Sequence, residues 1–267
     1  VEDDAFTWKT ADRTNSSGVA TASIAVSSDK SSPVVTQAFM WTNTPSVRIE
    51  FDEPLLTNVA MDVRNYKIEP DVQIVGAQMD TNGMAVSLYT GPIVEGKSYA
   101  LTLRKLRDRA KAGNALTARL PMTCLTSGLA CDYYESVAGI FEKDLFDLIQ
   151  PKTNGVVKAV NLSLRQRDES FDMRFQGFLK TQTAGDYTFW LTADDRARLY
   201  LGTNMVVESA NRREKSGSVR LTAGAQPLCL IYIQTGGTNI LDAAWSGPGF
   251  GKRPIPPSAL FCKFTGD

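Results

Sequence analysis

The chain has no histidine, no net charge and few cysteines. Without histidine, Ser-His-Asp and Cys-His nucleophilic catalysis, most catalytic zinc sites and proton switching near neutral pH are excluded. Lys+Arg and Asp+Glu both total 29, which excludes the basic surplus that a phosphate backbone requires, so nucleic acid is not the expected partner. The basic text "NRREKSGSVR" reads as a solvated hairpin loop. No apolar run approaches the ~20 residues of a membrane span, and no membrane insertion is expected. The opening VEDDAFTWK has no basic stretch followed by an apolar one, so no targeting segment is visible; removal of a leader and a longer parent chain are both compatible with that. The four cysteines, Cys124, Cys131, Cys229 and Cys262, show no CxxC spacing, which argues against zinc and redox motifs. An even number in the second half of the chain suggests two disulfides in an exported protein, with three connectivities open.

What is present is alternation. Residues 1–32 are rich in Ser, Thr and Ala and read as a linker or edge extension, with "VATASIAV" the one strand candidate. From Pro33 the period is two. "SVRIEFDEP" alternates Val47, Ile49 and Phe51 with Arg48, Glu50 and Asp52, the mark of a strand with one wet face. "VQIVGAQM" and "MAVSLYT" flank Asn82-Gly83, so 72–90 reads as a hairpin. "KSYALTLRKL" adds Tyr99, Leu101 and Leu103 before "RDRAKAGNAL" breaks the pattern. Several short strands and no convincing helix over 33–123 predict a small antiparallel sandwich.

Residues 124–267 form a second predicted unit. "FEKDLFDLI" spaces Phe141, Leu145, Phe146, Leu148 and Ile149 for a short helix or turn. Then come seven or more strand-like segments, "VVKAVNLSL", "FDMRFQGFLKT", "GDYTFWLTA", "ARLYLG", "SVRLTAG", "PLCLIYIQT" and "LDAAWSG", separated by glycine and polar turns. They predict a second β-sandwich or barrel. The whole chain is therefore expected to be all-β.

Between two of these segments lies "LTADDRARLYL". Adjacent carboxylates repel, so Asp194-Asp195 is either a solvated turn or a site for a hard cation, which favours several oxygen ligands at once. Glycoside hydrolysis needs two carboxylates about 5–9.5 Å apart across a cleft; neighbours in sequence serve that poorly. "TNGMAV" and "TGGTN" lack the Lys-Ser/Thr and helix of a phosphate loop. No enzyme activity is expected within these residues, although a longer parent chain could carry a catalytic domain.

Two resemblances add to this reading. "VRIEFDEPL", "YKIEP", "GPIVEGKSYALTL" and "RDRAKAGNAL" resemble the Ig-like domains of bacterial surface-layer and cell-surface proteins, although Asp108 is spaced more widely than usual from Gly113-Asn114. That resemblance implies a spacer. In the second half, "GLACDYYES", "VNLSL", "FDMRFQGFLKTQTAGDYTFWLTADDRARLYLGTNMVV", "GSVRLTAGAQPLCLIYIQ" and "LDAAWSGPGFGKRPIPPSAL" resemble a PA14 domain over about 127–261. Tyr187, Phe189 and Leu191 would face one core with Leu199 and Leu201, and Trp245 would close it. In the yeast adhesin branch of that family the paired aspartates are joined by a cis peptide and bind Ca²⁺, which contacts sugar hydroxyls.

The resemblance thus implies Asp194, Asp195 and the loop residue Asn239 as Ca²⁺ ligands, with Asp242 a weaker candidate. Gly236-Gly237 would let backbone carbonyls turn toward the ion. Arg196 stands where many members have glycine, and would pair with a carboxylate or contact an acidic sugar. The long inserted loop of the yeast adhesins is not evident between 201 and 219. Trp190, a half-period out from its neighbours, and Phe250 are rim candidates for a sugar; a covering of Trp190 by the helix or the first domain is favoured. At least one of Tyr133 and Tyr134 is expected in the core. PA14-like sandwiches bring the first and last strands together, which implies a Cys131–Cys262 bridge and leaves Cys124 with Cys229 or both free. The expected function is a non-enzymatic, extracellular carbohydrate-binding or adhesion module. The alternative is a structural module of a surface layer, filament or larger complex, with other surface-protein subunits as partners.

Overall fold

In a computed structural model the chain is described at residues 4–24, 29–42, 44–95, 97–135 and 143–263. Within them it is nearly all β, with one short α-helix and three 3-10 turns. The first strands, β1 (Asp4–Trp8) and β2 (Ala20–Ile24), form an isolated antiparallel hairpin, so the segment read as linker is paired, though it lies almost wholly in solvent.

The first sandwich contains β3 (Val35–Trp41), β4 (Ser46–Phe51), β5 (Tyr66–Glu69), β6 (Ile74–Met79), β7 (Ala85–Thr90), β8 (Tyr99–Arg107) and β9 (Ala115–Ser127). β4 buries Val47, Ile49 and Phe51 and leaves Arg48 and Glu50 half-covered, as its alternation requires. The β6–β7 hairpin turns at Asn82-Gly83, where Gly83 has φ 77° and glycine alone avoids a Cβ clash. Asp108 is fully buried and explains its wide spacing from Gly113-Asn114: its carboxylate accepts from the Ala110 and Asn114 amides and from Asn114 Nδ2 at 2.7 Å, closing the loop on itself. One four-residue helix, α1 (Thr57–Ala60), and the 3-10 turn Val63–Asn65 carry no helical apolar period that the sequence could reveal.

The second sandwich contains β10 (Leu129–Glu135), β11 (Thr153–Val157), β12 (Phe171–Thr181), β13 (Gly185–Asp194), β14 (Arg196–Leu201), β15 (Asn204–Ala210), β16 (Lys215–Leu221), β17 (Gly224–Gln234), β18 (Ile240–Gly247), β19 (Phe250–Pro254) and β20 (Leu260–Lys263). One of its sheets runs β16-β13-β18-β19; the facing sheet includes β15-β14-β17-β12 with β10, β11 and β20. Tyr187, Phe189, Leu191, Leu199, Leu201 and Trp245 all enter the core between them. Tyr133 and Tyr134 are both buried, on opposite faces of β10.

The described part of "FEKDLFDLI" is a 3-10 helix, Lys143–Leu148, and Phe141 lies outside the described residues. Phe146 is its one buried apolar anchor, against Tyr134 at 5.0 Å, and Asp147 accepts from Arg174 Nη1 at 2.5 Å, while Leu145 and Leu148 are exposed.

β9 belongs to both sandwiches. Residues 115–122 pair with β8, while 123–127 pair with β3 in parallel and with β20 antiparallel. A division at 123/124 therefore falls inside one continuous strand. At this joint Trp41, Leu125, Ala225 and Phe261 form a small apolar cluster, and Lys180 Nζ lies 4.4 Å from the Trp41 ring centroid.

The disulfide expectation is overturned: all four cysteines are free. Cys124 sits in the first core beside Met40 Sδ at 3.6 Å, whereas Cys229 packs on the outer face of the second sandwich with Tyr134 and Tyr200. Different cores cannot be joined by a bond whose Cα atoms must approach within about 7 Å. Cys131 and Cys262 are both buried thiols. Burial raises all four thiols, Cys229 to about 11, which keeps them protonated and unreactive.

Candidate functional site: a paired-aspartate loop at one end of the second sandwich

β13 ends at Asp194 and β14 begins at Arg196, so Asp195 is the whole connection between the two facing sheets. The Asp194–Asp195 peptide is cis. The chain changes sheets here, and the two carboxylates point into loops that arrive from elsewhere.

Each carboxylate is held by one oxygen. Asp194 is 5% exposed; its Oδ2 accepts from Arg212 Nε at 2.9 Å and from the Thr238 amide at 3.1 Å. Asp195 Oδ2 accepts from the Thr235 hydroxyl, from the Thr235 amide at 2.7 Å and from the Gly236 amide at 3.3 Å. Beneath the pair, the buried Tyr232 hydroxyl lies 2.5 Å from the Asp194 carbonyl oxygen and 2.5 Å from Gln234 Oε1. Partial burial pushes the Asp195 carboxyl up, but the Thr235 hydroxyl and amide, the Gly236 amide and the Arg212 charge outweigh it, so the group sits below the ordinary aspartate range. Burial pushes the Tyr232 phenol well above its ordinary value, with both aspartates adding to the shift.

Oδ1 of each aspartate stays outside these bonds, and Asn239 lies one residue beyond Thr238, whose amide holds Asp194. Asn239 Oδ1 is buried and lacks a hydrogen-bond partner among the described residues, while its Nδ2 donates to Asp168 Oδ1 at 3.4 Å. An orphaned buried acceptor normally marks a missing partner. Two carboxylate oxygens and an amide carbonyl are an all-oxygen set of the kind that calcium takes.

The other expected residues separate into three groups. Arg196 does not meet the aspartates; its Nε lies 3.4 Å from Glu208 Oε1 across the β14–β15 hairpin. Asp242 is exposed on β18, opposite Thr192 and one same-face position from the Asp194–Ile240 rung. Trp190 shares that face, where Lys252 of β19 stands over it, its Nζ 5.2 Å from the ring centroid. Phe250 sits at the opposite end of β18, where it packs on Trp245 at 5.0 Å and Tyr187 at 6.2 Å. It belongs to the core closure rather than to the rim of the pair. Gly237 adopts φ 89°, as a tight glycine turn requires, yet the Gly236 carbonyl accepts from Gln234 Nε2 at 2.9 Å and its amide faces Asp195. The 201–219 segment is two strands and short turns, without an inserted loop.

Sequence reasoning missed Arg212, Thr235 and the acidic loop that brings Asp168 and Glu169 to the rim. A side chain at Gly236 would meet the Glu169 carboxyl at 3.8 Å. Arg212 lay inside text read as a solvated basic loop; its positive φ of 62°, next to Asn211 at 56°, turns it back onto Asp194. A second acidic group, Asp29, Glu53 and Asp108, converges in the first sandwich, but both Asp108 oxygens are taken by its own loop.

The PA14 domain family model matches residues 142–259, and that part of the chain is a PA14 domain. No curated protein matches the chain. Among solved structures, an anti-sigma factor domain-containing protein aligns at 17% identity and TM-score 0.46, covering 82% of this chain and 84% of its own. A PA14 sugar-binding domain from an RTX adhesin aligns at 17% identity and TM-score 0.43, covering 51% and 98%. The Epithelial Adhesin 9 A domain from Candida glabrata, in complex with Galb1-3GlcNAc, aligns at 14% identity and TM-score 0.43, covering 54% and 93%.

Proposed function

We propose that the second sandwich is a carbohydrate-recognition module of an extracellular or cell-surface protein, and that it works by binding rather than catalysis. A Ca²⁺ ion held by Asp194, Asp195 and Asn239 would be its working part. The observation that carries this reading is the division of labour within each carboxylate: Oδ2 is tied to the loop, while Oδ1 remains outside those bonds, and the same 235–239 loop carries the buried, orphaned Asn239 Oδ1. The loop bonds fix the direction of both carboxylates in advance, so little ordering entropy would be lost on metal binding. Bound calcium would offer open coordination positions to vicinal sugar hydroxyls in place of water. The PA14 match supports the same reading.

The test is calorimetric titration of metal-stripped protein with Ca²⁺, with Asp195→Ala as control, followed by a glycan array in calcium and in chelator. Saturable heat lost in the variant, and glycan binding lost in chelator, are expected. No heat and no calcium-dependent melting shift would remove the metal from the account.

One observation favours the structural alternative. The β1–β2 hairpin exposes Phe6 (57%) and Trp8 (50%) side by side, ring centroids 5.6 Å apart, in a segment otherwise rich in Ser, Thr and Ala. A subunit contact there would bury both rings, and sedimentation of Trp8→Ser against wild type would detect its loss.

A further inference from the structure

The β16-β13-β18-β19 sheet carries a groove beside Trp190, apart from the paired aspartates and floored in part by residues that also pack on the core. Successive same-face positions of β13 are Trp190, Thr192 and Asp194, and register sets them opposite Ala244, Asp242 and Ile240 of β18. On the other side Trp190 faces Ser216 of β16. An indole between alanine and serine has no large cross-strand neighbour, so small residues leave a floor with the half-buried ring standing at its edge. The cavity is about 490 Å³, lined among others by Trp190, Thr192, Asp242, Glu214, Lys252 and Val160. Its chemistry is mixed: one aromatic ring, two carboxylates, two cations and a hydroxyl around an apolar floor of Ala243, Ala244 and Ile255.

That mixture fits a pyranose ring. The apolar C–H face of a sugar lies on an indole, while carboxylates and ammonium groups at its edge exchange hydrogen bonds with hydroxyls. Lys252 is not locked over Trp190. Its partner Glu214, at 2.6 Å, is 49% exposed and Lys252 itself 43% exposed, and an exposed pair of this kind is worth little. The side chain can swing aside at small cost.

The groove also leads to the aspartates. Trp190 and Asp194 are four residues apart on one strand, about 13 Å by strand rise. The loop between β11 and β12 borders both ends, with Val160 in the groove wall and Asp168 bonded to Asn239. We infer that Trp190, Asp242, Glu214 and Lys252 form a second sugar subsite, so that the module recognises an extended glycan chain lying along β13 rather than a terminal monosaccharide alone. This rests on the carbohydrate reading above and names its substrate class.

The test is affinity electrophoresis of the full chain in native gels containing yeast mannan, arabinogalactan or hydroxyethyl cellulose, each with calcium and with EGTA. Wild type, Asp195→Ala, Trp190→Ala, Trp190→Phe and Asp242→Asn are run together, and calcium-induced melting shifts are measured for each. The expected result is retardation of wild type in at least one polysaccharide, weakened about tenfold by Trp190→Ala and by Asp242→Asn, a loss of about 1.4 kcal/mol. Trp190→Phe should restore much of it, and all three should keep the wild-type calcium shift. Retardation unchanged in Trp190→Ala and Asp242→Asn but lost in Asp195→Ala would overturn the subsite and leave the calcium reading standing. Retardation insensitive to EGTA and to Asp195→Ala, yet lost in Trp190→Ala, would support the groove and overturn the calcium bridge. Wild type unretarded in all three gels would overturn the subsite, with the calcium titration deciding the ion separately.

Discussion

Arg212 Nε lies 2.9 Å from Asp194 Oδ2, and the carboxylate is 7% exposed while the guanidinium is 55% exposed. The protein therefore supplies its own cation to the acidic pair from a loop that can reach solvent. A divalent ion at the pair would share Asp194 with that charge.

Arg212→Gln is accordingly expected to act in opposite directions with and without metal. Without calcium, the buried Asp194 loses its counter-charge and keeps the Thr238 amide, so stability falls by about 1 kcal/mol, a value kept low because Arg212 is half-exposed. With calcium, a competing positive charge is gone and affinity rises several-fold. Differential scanning fluorimetry with and without 5-millimolar-scale calcium (about 100 times a dissociation constant of tens of micromolar would add about 2.7 kcal/mol) reads both; a variant whose calcium shift shrinks would show that Arg212 supports the ion.

Asp195 is a depressed acid, so its contribution to stability is present above the ordinary aspartate pKa and lost as pH falls through its lower folded value. Thr235→Val deletes the hydroxyl donor and keeps the shape. Melting temperature followed from pH 6 down to about 2.5 should be lower in the variant at pH 6 and fall by less than in wild type, the two profiles converging at the acid end. Superimposed profiles would mean that the Thr235 hydroxyl does not tune the carboxyl.

Asp172 behaves in the opposite sense. It is 4% exposed, its Oδ2 lacks a partner among the described residues, and burial raises its carboxyl to about 7. The folded state holds the proton that the unfolded chain releases near pH 4, so a penalty grows as pH rises from about 4 and levels off above about 7, reaching at most about 4 kcal/mol. Asp172→Asn should raise the melting temperature at pH 8 and leave it nearly unchanged at pH 4. An equal gain at both pH values would refute a protonation origin.

Gly177 tests the packing of β12. A Cβ there would stand 2.1 Å from the Phe261 carbonyl oxygen and 2.8 Å from Leu129 Cδ2. Gly177→Ala should cost about 1–3 kcal/mol by overpacking, and hydrogen exchange should quicken in β20 before it does in β15. Wild-type stability would mean that β20 shifts freely.

The strands were legible because their signal is local. Alternation in β4, the Asn82-Gly83 turn and the Tyr187–Phe189–Leu191 row each state which face is wet within a few residues. Trp245 and the aspartate pair were legible through a resemblance in the order of segments. What could not be read depends on loops meeting across distance. Arg212 is one basic residue among several until a positive φ turns it onto Asp194, and Asp168 reaches Asn239 over 71 positions. Phe250 failed as a rim residue because a glycine turn at 247–249 looks the same in sequence whichever end of the sandwich it closes. The cysteines failed because even number and clustering say nothing of which core each thiol enters.

β9, which serves β8 at one end and β3 and β20 at the other, makes the two halves mechanically one body. A hinge needs a stretch of chain free to rotate, and here the connecting chain is itself hydrogen-bonded on both sides. Tension applied at the first half would be borne in shear by the same strand that frames the second. The aspartate loop would then hold a fixed bearing relative to whatever carries the chain, and a tethered target would be met at one angle instead of being searched for by a swinging arm.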